Sequence, residues 1–262
     1  MIRRRDDRIK IGRVACIECG HCLAVCPTGA IVDEAGAALQ AVEAPLPSAD
    51  RLGSLIRKRR TVRRYKADAV PREVIEELIE AARWIPTAAN CQPQEYVIVT
   101  ETQTRNELRA RIEEHYCAFG EALADRENRA ARLAALGLDP EAATHPHALA
   151  AVPAFVKSAD AGRDRLFFGA PVVIVIHAAA DQVMPEAACA FAALSLVLMA
   201  EAHGLGTCIT GFASDALRAR RDIREWLGIP PANQVHHAIV VGWPAEEFRT
   251  VPARRPVRVQ WR

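Results

Sequence analysis

The stretch Arg57–Lys66 reads RKRRTVRRYK and is the densest block of positive charge in the chain. Taken alone, such a block is typical of a nucleic-acid patch, a targeting tag or a solvated surface. Two features favour a phosphate site instead. The block directly precedes an amphipathic helical pattern, and Thr61 places a hydroxyl among guanidinium groups, whose forked donors suit a phosphate dianion. We therefore predict that this block binds an anionic group within a folded domain.

The chain after this block alternates between helical and strand patterns. Apolar residues recur with a helical period from Pro71 to Ile85, and Pro86 ends the predicted helix. Runs rich in β-branched residues predict three strands, at Tyr96–Thr100, Pro171–His177 and His237–Gly242. Residues 103–165 start as a helix and are broken around 137–153. Such a long excursion predicts a cap or lid over a site.

Two further helices are predicted in the second half of the chain. Ala187–His203 is apolar nearly all round and ends at Gly204, which predicts a core or interface helix. Ser214 is the expected N-cap of a helix that runs through Leu227. Both segments therefore belong to the folded domain that begins at Arg51.

Composition excludes several classes of protein. The chain has 262 residues, 50% of them hydrophobic, and its 34 Lys and Arg against 32 Asp and Glu give a net charge of +2. That balance argues against a protein that binds nucleic acid through its overall electrostatic field. No segment reaches the roughly 18 uncharged apolar residues of a membrane span, and the charged N-terminal residues resemble no secretory signal. We expect a cytoplasmic protein with no nucleic-acid and no membrane partner.

A cysteine run lies near the N-terminus. Residues 16–27 read CIECGHCLAVCP, which is C-x₂-C-x₂-C-x₃-C-P, the bacterial ferredoxin spacing for an iron–sulfur cluster. Zinc motifs usually split into two pairs with a longer spacer. The run resembles one cysteine loop of the two-cluster ferredoxins, where the fourth cysteine serves the other cluster. We predict a [4Fe–4S] cluster on Cys16, Cys19 and Cys22, and expect Cys26 as a ligand of the same or of another cluster.

The cysteine run divides the chain into three parts. Residues 1–35 form a predicted ferredoxin-like segment. Residues 36–50, which carry Pro45, Pro47 and Ser48, are a predicted linker. Residues 51–262 form the main domain.

Four motifs in order make the main domain resemble the nitroreductase family of flavin enzymes. RRTVRRY at 59–65 is similar to that family's RRSxRxF opening, and PTAANCQP at 86–93 to its PSxxNxQPW loop. GLGTCITG at 204–211 is similar to its GLGTxWxG segment, and VPARRP at 251–256 to its C-terminal (I/L)PxRxP. The resemblance implies a nitroreductase-like α+β fold of a sheet with helices, and FMN as cofactor. Gln94 and Ile209–Thr210 depart from the pattern, so the substrate preference does not transfer.

The resemblance also implies a set of FMN contacts. The residues that match contacts to phosphate, ribityl chain and pyrimidine oxygens are Arg59, Arg60, Thr61 and Arg63, with Arg254 as the C-terminal phosphate-binding cation. The residues that match contacts to the ribityl chain and ring edge are Thr87, Asn90 and Gln92. Thr210 and Gly211 match the backbone facing the reactive N5 side of the ring. A dianionic phosphate and a polar ring edge call for such donors.

These features predict an oxidoreductase in which the flavin N5 passes hydride or electrons and no side chain attacks the substrate. The expected acceptor is a small electrophile such as a nitroaromatic, a quinone or an enone. The expected donor is a ferredoxin acting through the cluster, or NAD(P)H, and the expected assembly is a homodimer. Two alternatives stay open: the same fold with dehalogenase or flavin-cleaving chemistry, and a non-catalytic electron carrier or redox sensor.

Overall fold

The computed structural model describes residues 2–5, 8–12, 16–32 and 46–262. Its strands are β1 (Ile2–Arg5), β2 (Arg8–Ile11), β3 (Glu95–Val99), β4 (Val172–Ala179), β5 (Gly206–Ile209) and β6 (Asn233–Gly242). Its longer helices are α2 (Ala49–Lys58), α3 (Arg72–Arg83), α4 (Thr102–Ala124), α7 (Pro146–Asp160), α8 (Pro185–Ala202) and α9 (Gly211–Ala219). The shorter helices are α1 (His21–Ala24), α5 (Arg129–Ala135), α6 (Pro140–Ala143) and α10 (Arg221–Trp226).

The central sheet has the order β3–β4–β6–β5, and every neighbouring pair in it is antiparallel. Strand β4 is buried on both faces because helices cover both sides of the sheet. Val173 and Val175 belong to the core cluster that also contains buried residues of α4, α7 and α9. Ile174 and Ile176 belong to the second cluster, with α3 and α8. The α+β architecture is thus a sheet between two layers of helices.

The periodic segments form the elements that their patterns predict. Helix α3 ends at Arg83, just before Ile85 and Pro86. Helix α8 ends at Ala202 and buries Ala192, Leu196 and five other small or apolar residues. Among the described residues, α8 is the one helix whose length and composition would allow it to cross a membrane. Its packing on α3 and the sheet agrees with the predicted core helix.

Two local predictions are wrong. Pro153 lies inside α7, so the break in the excursion is confined to the stretch between α5 and α7. The predicted single helix after Ser214 is two helices, α9 and α10, which meet at the extended residue Arg220. Thr210 is the N-cap of α9, and its side chain accepts from the Ala213 amide at 3.5 Å.

Ser214 has a structural role inside α9 in place of the predicted cap. Its hydroxyl donates to the Thr210 carbonyl at 2.8 Å and accepts from the Ala238 amide at 2.8 Å. A serine hydroxyl can donate once and accept as well, so one side chain ties α9 to β6. This bond pair fixes the start of α9 against the sheet.

The predicted N-terminal segment and linker are described in part. Strands β1 and β2 form an antiparallel hairpin, and α1 lies inside the cysteine run. Residues 33–45, which include most of the predicted linker, lie outside the described residues. Helix α2 begins at Ala49, and the Ser48 hydroxyl caps it by accepting from the Arg51 amide at 3.3 Å.

Candidate functional site

The arginine block lies along the edge of the central sheet. After α2 the chain becomes extended, and the Val62 amide donates to the Thr207 carbonyl at 2.9 Å in a parallel bridge to β5. The Lys66 amide donates to the Trp243 carbonyl at 2.9 Å, just beyond β6. Two of the motifs, separated by more than a hundred residues, therefore meet side by side.

A glycine permits this close approach. A Cβ atom built on Gly206 would stand 2.6 Å from Val62 Cγ2, which is closer than side chains tolerate. Val62 is 3% exposed and cannot move outward without leaving the core. Gly206 is therefore the residue that lets the arginine block pack on β5.

The arginines of the block point in different directions. Arg60 Nη1 donates to the carbonyls of Arg57 and Arg59 at 2.8 and 2.6 Å, which satisfies acceptors at the end of α2. Thr61 is exposed next to it. The Arg63 guanidinium lies 5.9 Å from the centre of the Phe168 ring. Burial raises the pKa of the nearby Cys208 thiol, and Arg63 partly offsets that rise.

The loop at 86–93 has an unusual backbone. Ala89, Asn90 and Gln92 have φ angles of 49°, 55° and 44°, in the left-handed region that non-glycine residues rarely adopt. Such conformations cost about 1–3 kcal/mol each and cluster at functional sites. The Thr87 hydroxyl accepts from the Gln92 amide at 3.2 Å, and Gln92 Nε2 donates to Asn90 Oδ1 at 3.3 Å. The three predicted contacts of this loop are therefore bonded to one another.

Asn90 also reaches the cysteine run. Its Nδ2 donates to the Ile17 carbonyl at 3.3 Å and to the Glu18 carbonyl at 3.0 Å. The predicted cysteine loop therefore lies against the predicted flavin loop.

Thr210 and Gly211 stand at the start of α9, at the end of β5. Thr210 is 5% exposed, and its amide donates to the Ala238 carbonyl at 2.8 Å. Gly211 is exposed, and a Cβ atom there would have no neighbour within 4 Å. The N-terminal amides of a helix favour a polar or anionic group nearby. The N5 side of a bound flavin ring, as predicted, would therefore face the exposed N-terminus of α9.

Arg254 lies apart from these residues. It is in an exposed C-terminal segment without helix or strand, and no hydrogen bond or ion pair joins it to another described residue. Its predicted contact with phosphate therefore rests on the motif alone.

The cysteines of the run have the right chemistry for a cluster, but their side chains are not gathered. Cys16, Cys19 and Cys22 are exposed, and Cys26 is half-buried. The backbone turns through left-handed conformations at Glu18 and Gly20, with φ of 53° and 67°. Within the described residues, no group of three or more metal-ligating side chains is placed to hold an ion. The donor set fits iron–sulfur chemistry, whereas its arrangement here does not yet form a ligand shell.

One thiol of the run is shifted toward the ligating form. A hydrogen bond to the Thr28 hydroxyl at 3.7 Å and nearby backbone amides lower the pKa of Cys26 to about 7. Thiolates, not thiols, bind metal.

A cavity of about 610 Å³ lies beside the start of α9. Helices α4 and α7 of the excursion form one wall, and Gly211, Phe212 and Asp215 of α9 form another. Most of the lining is apolar or aromatic, including Tyr116 and Phe119. The predicted role of the excursion as a cover agrees with this placement.

A buried histidine also lines the cavity. His115 is 1% exposed, and burial lowers its pKa to about 4, so the ring is neutral at physiological pH. Among the residues that the structure describes, its Nδ1 has no hydrogen-bond partner. A lone histidine in a helical pattern carries no signal of a site, so His115 is not among the predicted site residues.

Phe168 and Asp164 were also missed. The Asp164 carboxylate accepts from the amides of Leu166, Phe167 and Gly169 at 2.8–3.0 Å. These bonds fold a tight turn in which Phe168 adopts a φ of 56° beside Arg63. An aspartate two residues before an apolar pair is the local signal for such a turn.

The comparisons with known proteins decide the family. The model of the nitroreductase family matches residues 56–243. The chain belongs to the nitroreductase family. The matched region spans the arginine block, the 86–93 loop, the excursion and the whole central sheet, whereas the cysteine run lies outside it.

Relatives by sequence agree with this assignment. A Thermus thermophilus protein named NADH dehydrogenase is 30% identical over 221 residues, which are 79% of this nitroreductase-family chain and 92% of that protein. Iodotyrosine deiodinase 1 of Mus musculus is 40% identical over 60 residues, but this match covers only 21% of the deiodinase. The prediction that the chain is an oxidoreductase enzyme of the nitroreductase type is confirmed.

Solved structures share the fold. A Bacteroides fragilis nitroreductase with bound FMN has a TM-score of 0.56 at 18% identity. The superposition covers 80% of this chain and 98% of the nitroreductase chain. An iodotyrosine deiodinase bound to FMN and 3-iodo-L-tyrosine has a TM-score of 0.56 at 19% identity, with the same coverage. The predicted nitroreductase-like α+β fold is therefore confirmed.

Proposed function

We propose that this nitroreductase-family protein binds FMN and transfers electrons through it to a small electrophilic acceptor. The observation that carries the proposal is the backbone bond between Val62 and Thr207, which sets the arginine block beside the start of α9. Phosphate-binding cations and an open helix start thereby border one site. Solved relatives with FMN support the choice of cofactor.

The chain's own residues would bind and orient the cofactor. Arg59, Arg60 and Arg63 would neutralise the phosphate, with Arg254 folding in from the C-terminal segment. Arg60 would exchange its bonds to the carbonyls of Arg57 and Arg59 for this purpose. A phosphate oxygen carries a negative charge that a backbone carbonyl lacks, so the exchange adds an ion pair to the hydrogen bond and favours phosphate binding.

The other predicted residues would hold the ribityl chain and the ring. Thr61 and Thr87 would contribute hydroxyls, and Gln92 would contribute an amide group from a loop whose conformation Asn90 holds through its bond to Gln92. Thr210 and Gly211 would support the reactive side of the ring at the start of α9. When bound, the flavin supplies hydride or electron transfer, which no side chain of this site can perform.

The acceptor site in this proposal is the cavity beside Gly211. An apolar lining with a few polar groups suits an aromatic ligand, and about 610 Å³ lies in the range of small-molecule pockets. A nitroaromatic, a quinone or a conjugated enone has that chemistry. The cover formed by α4 and α7 would exclude water from the cavity in which the acceptor receives the electrons.

The cysteine run would provide the route for electrons into the flavin. We propose that Cys16, Cys19, Cys22 and Cys26 bind one [4Fe–4S] cluster that accepts electrons from an external ferredoxin. The relative named NADH dehydrogenase supports NAD(P)H as the other candidate donor. A reduced thiol set of this kind is typical of the cytoplasm, where we place the protein.

A second candidate function is reductive dehalogenation of an aromatic substrate. The similarity to iodotyrosine deiodinases, in sequence over a short stretch and in fold, favours it specifically. Release of iodide from 3-iodotyrosine, measured under the same reducing conditions, distinguishes it from nitro or quinone reduction.

The test of the proposal is anaerobic purification, flavin and metal analysis, and steady-state turnover. We expect one FMN per chain and sustained reduction of a nitroaromatic or quinone with NAD(P)H or reduced ferredoxin. A single flavin reduction without turnover on any acceptor would support the electron-carrier or sensor alternative instead.

Arginine substitutions test the phosphate site. Because a charged hydrogen bond contributes about 1.5–3 kcal/mol, Arg63→Ala and Arg254→Ala should each weaken FMN binding by about 10- to 100-fold. Fluorescence titration of FMN measures this change. Arg72→Ala is the matched control, because Arg72 is exposed on α3 and pairs with Glu76 along its own helix. Full flavin retention by Arg254→Ala after dilution would remove Arg254 from the site.

We also propose a homodimer with α8 at its interface. Phe191 and Leu194 on the outer face of α8 are 47% and 54% exposed, and Leu52 and Ile56 of the neighbouring α2 are exposed as well. Helices α2 and α8 are in contact, so these side chains belong to one exposed apolar patch, and such contiguous patches mark interaction surfaces. Light scattering should give twice the chain mass of 28.6 kDa, and Leu194→Glu should shift the mass toward the monomer. A flavin-loaded monomer of the native sequence would contradict the proposed interface.

A further inference from the structure

Within the described part of the chain, the side chain of Asn90 hydrogen-bonds the cysteine run to the main domain. Asn90 Nδ2 lies 3.0 Å from the Glu18 carbonyl and 3.3 Å from the Ile17 carbonyl, residues that precede it by 72 and 73 positions. Both carbonyls belong to the loop between Cys16 and Cys19. The contact therefore joins the middle of the predicted cluster-binding loop to the middle of the 86–93 loop.

The chemistry of asparagine matches this contact. A carboxamide has two N–H donors and one carbonyl acceptor, and here the donors face two backbone carbonyls while Oδ1 accepts from Gln92 Nε2 at 3.3 Å. An aspartate of the same shape could make neither of the two donor contacts. Asparagine also tolerates the left-handed backbone that this position has, with φ of 55°.

The donors of Asn90 are therefore already used when the cysteine loop is in place. The resemblance implies a direct flavin contact for this residue, whereas in the structure its amide group is hydrogen-bonded to the cysteine loop. Thr87 and Gln92 remain on the same loop to serve the flavin directly. Asn90 is better explained as a positioning residue that connects the two loops.

We propose that Asn90 docks the cysteine loop onto the flavin loop, so that ordering of one loop stabilises the ordered conformation of the other. A metal centre held by Cys16 and Cys19 would then adjoin the flavin loop within the same chain. Flavin binding, which fixes the 86–93 loop, would also stabilise the docked cysteine loop. This inference rests on the proposed function for its electron-transfer consequence, but the docking itself requires neither metal nor flavin.

Hydrogen exchange of the full-length chain tests the docking. The amides of Leu23 and Ala24 donate to the Gly20 carbonyl at 3.0 Å, and the short helix α1 that they form follows the docked carbonyls directly. In the metal-free protein, Asn90→Asp should speed exchange of these amides by about 5- to 50-fold, since two hydrogen bonds are lost. Asn106→Asp, at an exposed position of α4, is the control and should leave these amides unchanged.

A second measurement on the native sequence does not depend on any variant. Adding FMN to the metal-free protein should slow exchange of the Leu23 and Ala24 amides. Equal exchange in Asn90→Asp and the native chain, or no response of these amides to bound FMN, overturns the proposal.

Electron transfer separates this inference from the proposed function. In iron-loaded protein, Asn90→Asp should slow flavin reduction by reduced ferredoxin at least ~10-fold more than it slows reduction by NAD(P)H, because only the first route uses the docked loop. Absence of iron would refute the cluster, and the exchange result would still decide the docking. Normal iron content with equal ferredoxin rates in both proteins would refute the coupling while the cluster stands.

Discussion

Gly206→Ala is expected to separate the arginine block from the sheet and to remove FMN binding. The new Cβ atom would stand 2.6 Å from Val62 Cγ2 and 2.8 Å from Val62 Cβ, so one of the two segments has to move. Val62 is held against β5 by its amide bond to the carbonyl of Thr207, the residue next to Gly206, at 2.9 Å, and by its burial. Overpacking of this kind costs about 1–3 kcal/mol of unfolding free energy.

The effect on the cofactor should exceed the effect on stability. A shift of the block moves Arg59, Arg60, Thr61 and Arg63 together, and the loss of two or more charged contacts weakens FMN binding by at least ~100-fold. Urea unfolding and FMN titration on the same preparation measure the two effects.

A compensating substitution provides the control. Val62→Gly removes all three side-chain atoms that meet the new Cβ atom, so the double variant Gly206→Ala/Val62→Gly should recover FMN binding relative to the single one. The two changes should be strongly non-additive because the residues are in contact. Native FMN affinity in Gly206→Ala alone would show that the block does not depend on this packing.

The sequence predicts those parts of the fold that depend on local patterns. The helical period of 71–85 and the apolar run of 187–203 identify α3 and α8, because one-sided or all-round apolar surface has to be buried wherever the helix lies. The β-branched run at 171–177 likewise identifies β4, whose burial on both faces suppresses any alternation.

Long-range contacts explain what the sequence does not predict. Ser214 fits an N-cap by residue type, but its hydroxyl bonds Ala238 of a strand that comes later in the chain. Strand β5 has only four residues and is defined by its pairing with β6, not by its own pattern. Short elements of this kind depend on their partners.

In the candidate site, too, local motifs predict one part of the arrangement and long-range contacts determine the rest. The motifs indicate which residues belong to the site, since each carries a donor suited to phosphate or to a ring edge. They do not indicate that Arg60 bonds carbonyls at the end of α2, nor that Asn90 bonds the cysteine loop. Both contacts depend on where segments meet in space. Arg254, in contrast, stays a prediction from its motif alone.

Cys19→Ser is expected to abolish the iron–sulfur centre. The spacing of the run supplies one [4Fe–4S] cluster, so the native protein purified without oxygen should contain at most about four iron atoms per chain. Cys19 is the central ligand of the closely spaced triplet, and serine is a poor ligand for iron in such clusters. Iron content and the visible absorption of the cluster should both fall to background.

The other cysteines of the chain provide matched controls. Cys91→Ser should keep full iron, because Cys91 lies in the flavin loop and its thiol donates to the Ala88 carbonyl. Cys189 cannot substitute as a ligand, since it is fully buried in the core and burial raises its pKa to about 12. Loss of iron in Cys19→Ser but not in Cys91→Ser therefore assigns the cluster to the run.

Cys26→Ser examines the fourth position of the shell. In the ferredoxins that the run resembles, this residue serves a second cluster, and this chain carries one run. If Cys26 completes the same cluster, Cys26→Ser should retain part of the iron and lose it faster in air, because an incomplete shell is more exposed. Unchanged oxygen stability would assign the fourth bond to another group.

Iron near eight atoms per chain, or zinc in place of iron, would contradict the single-cluster relay, because a one-electron relay requires a redox-active centre within this loop.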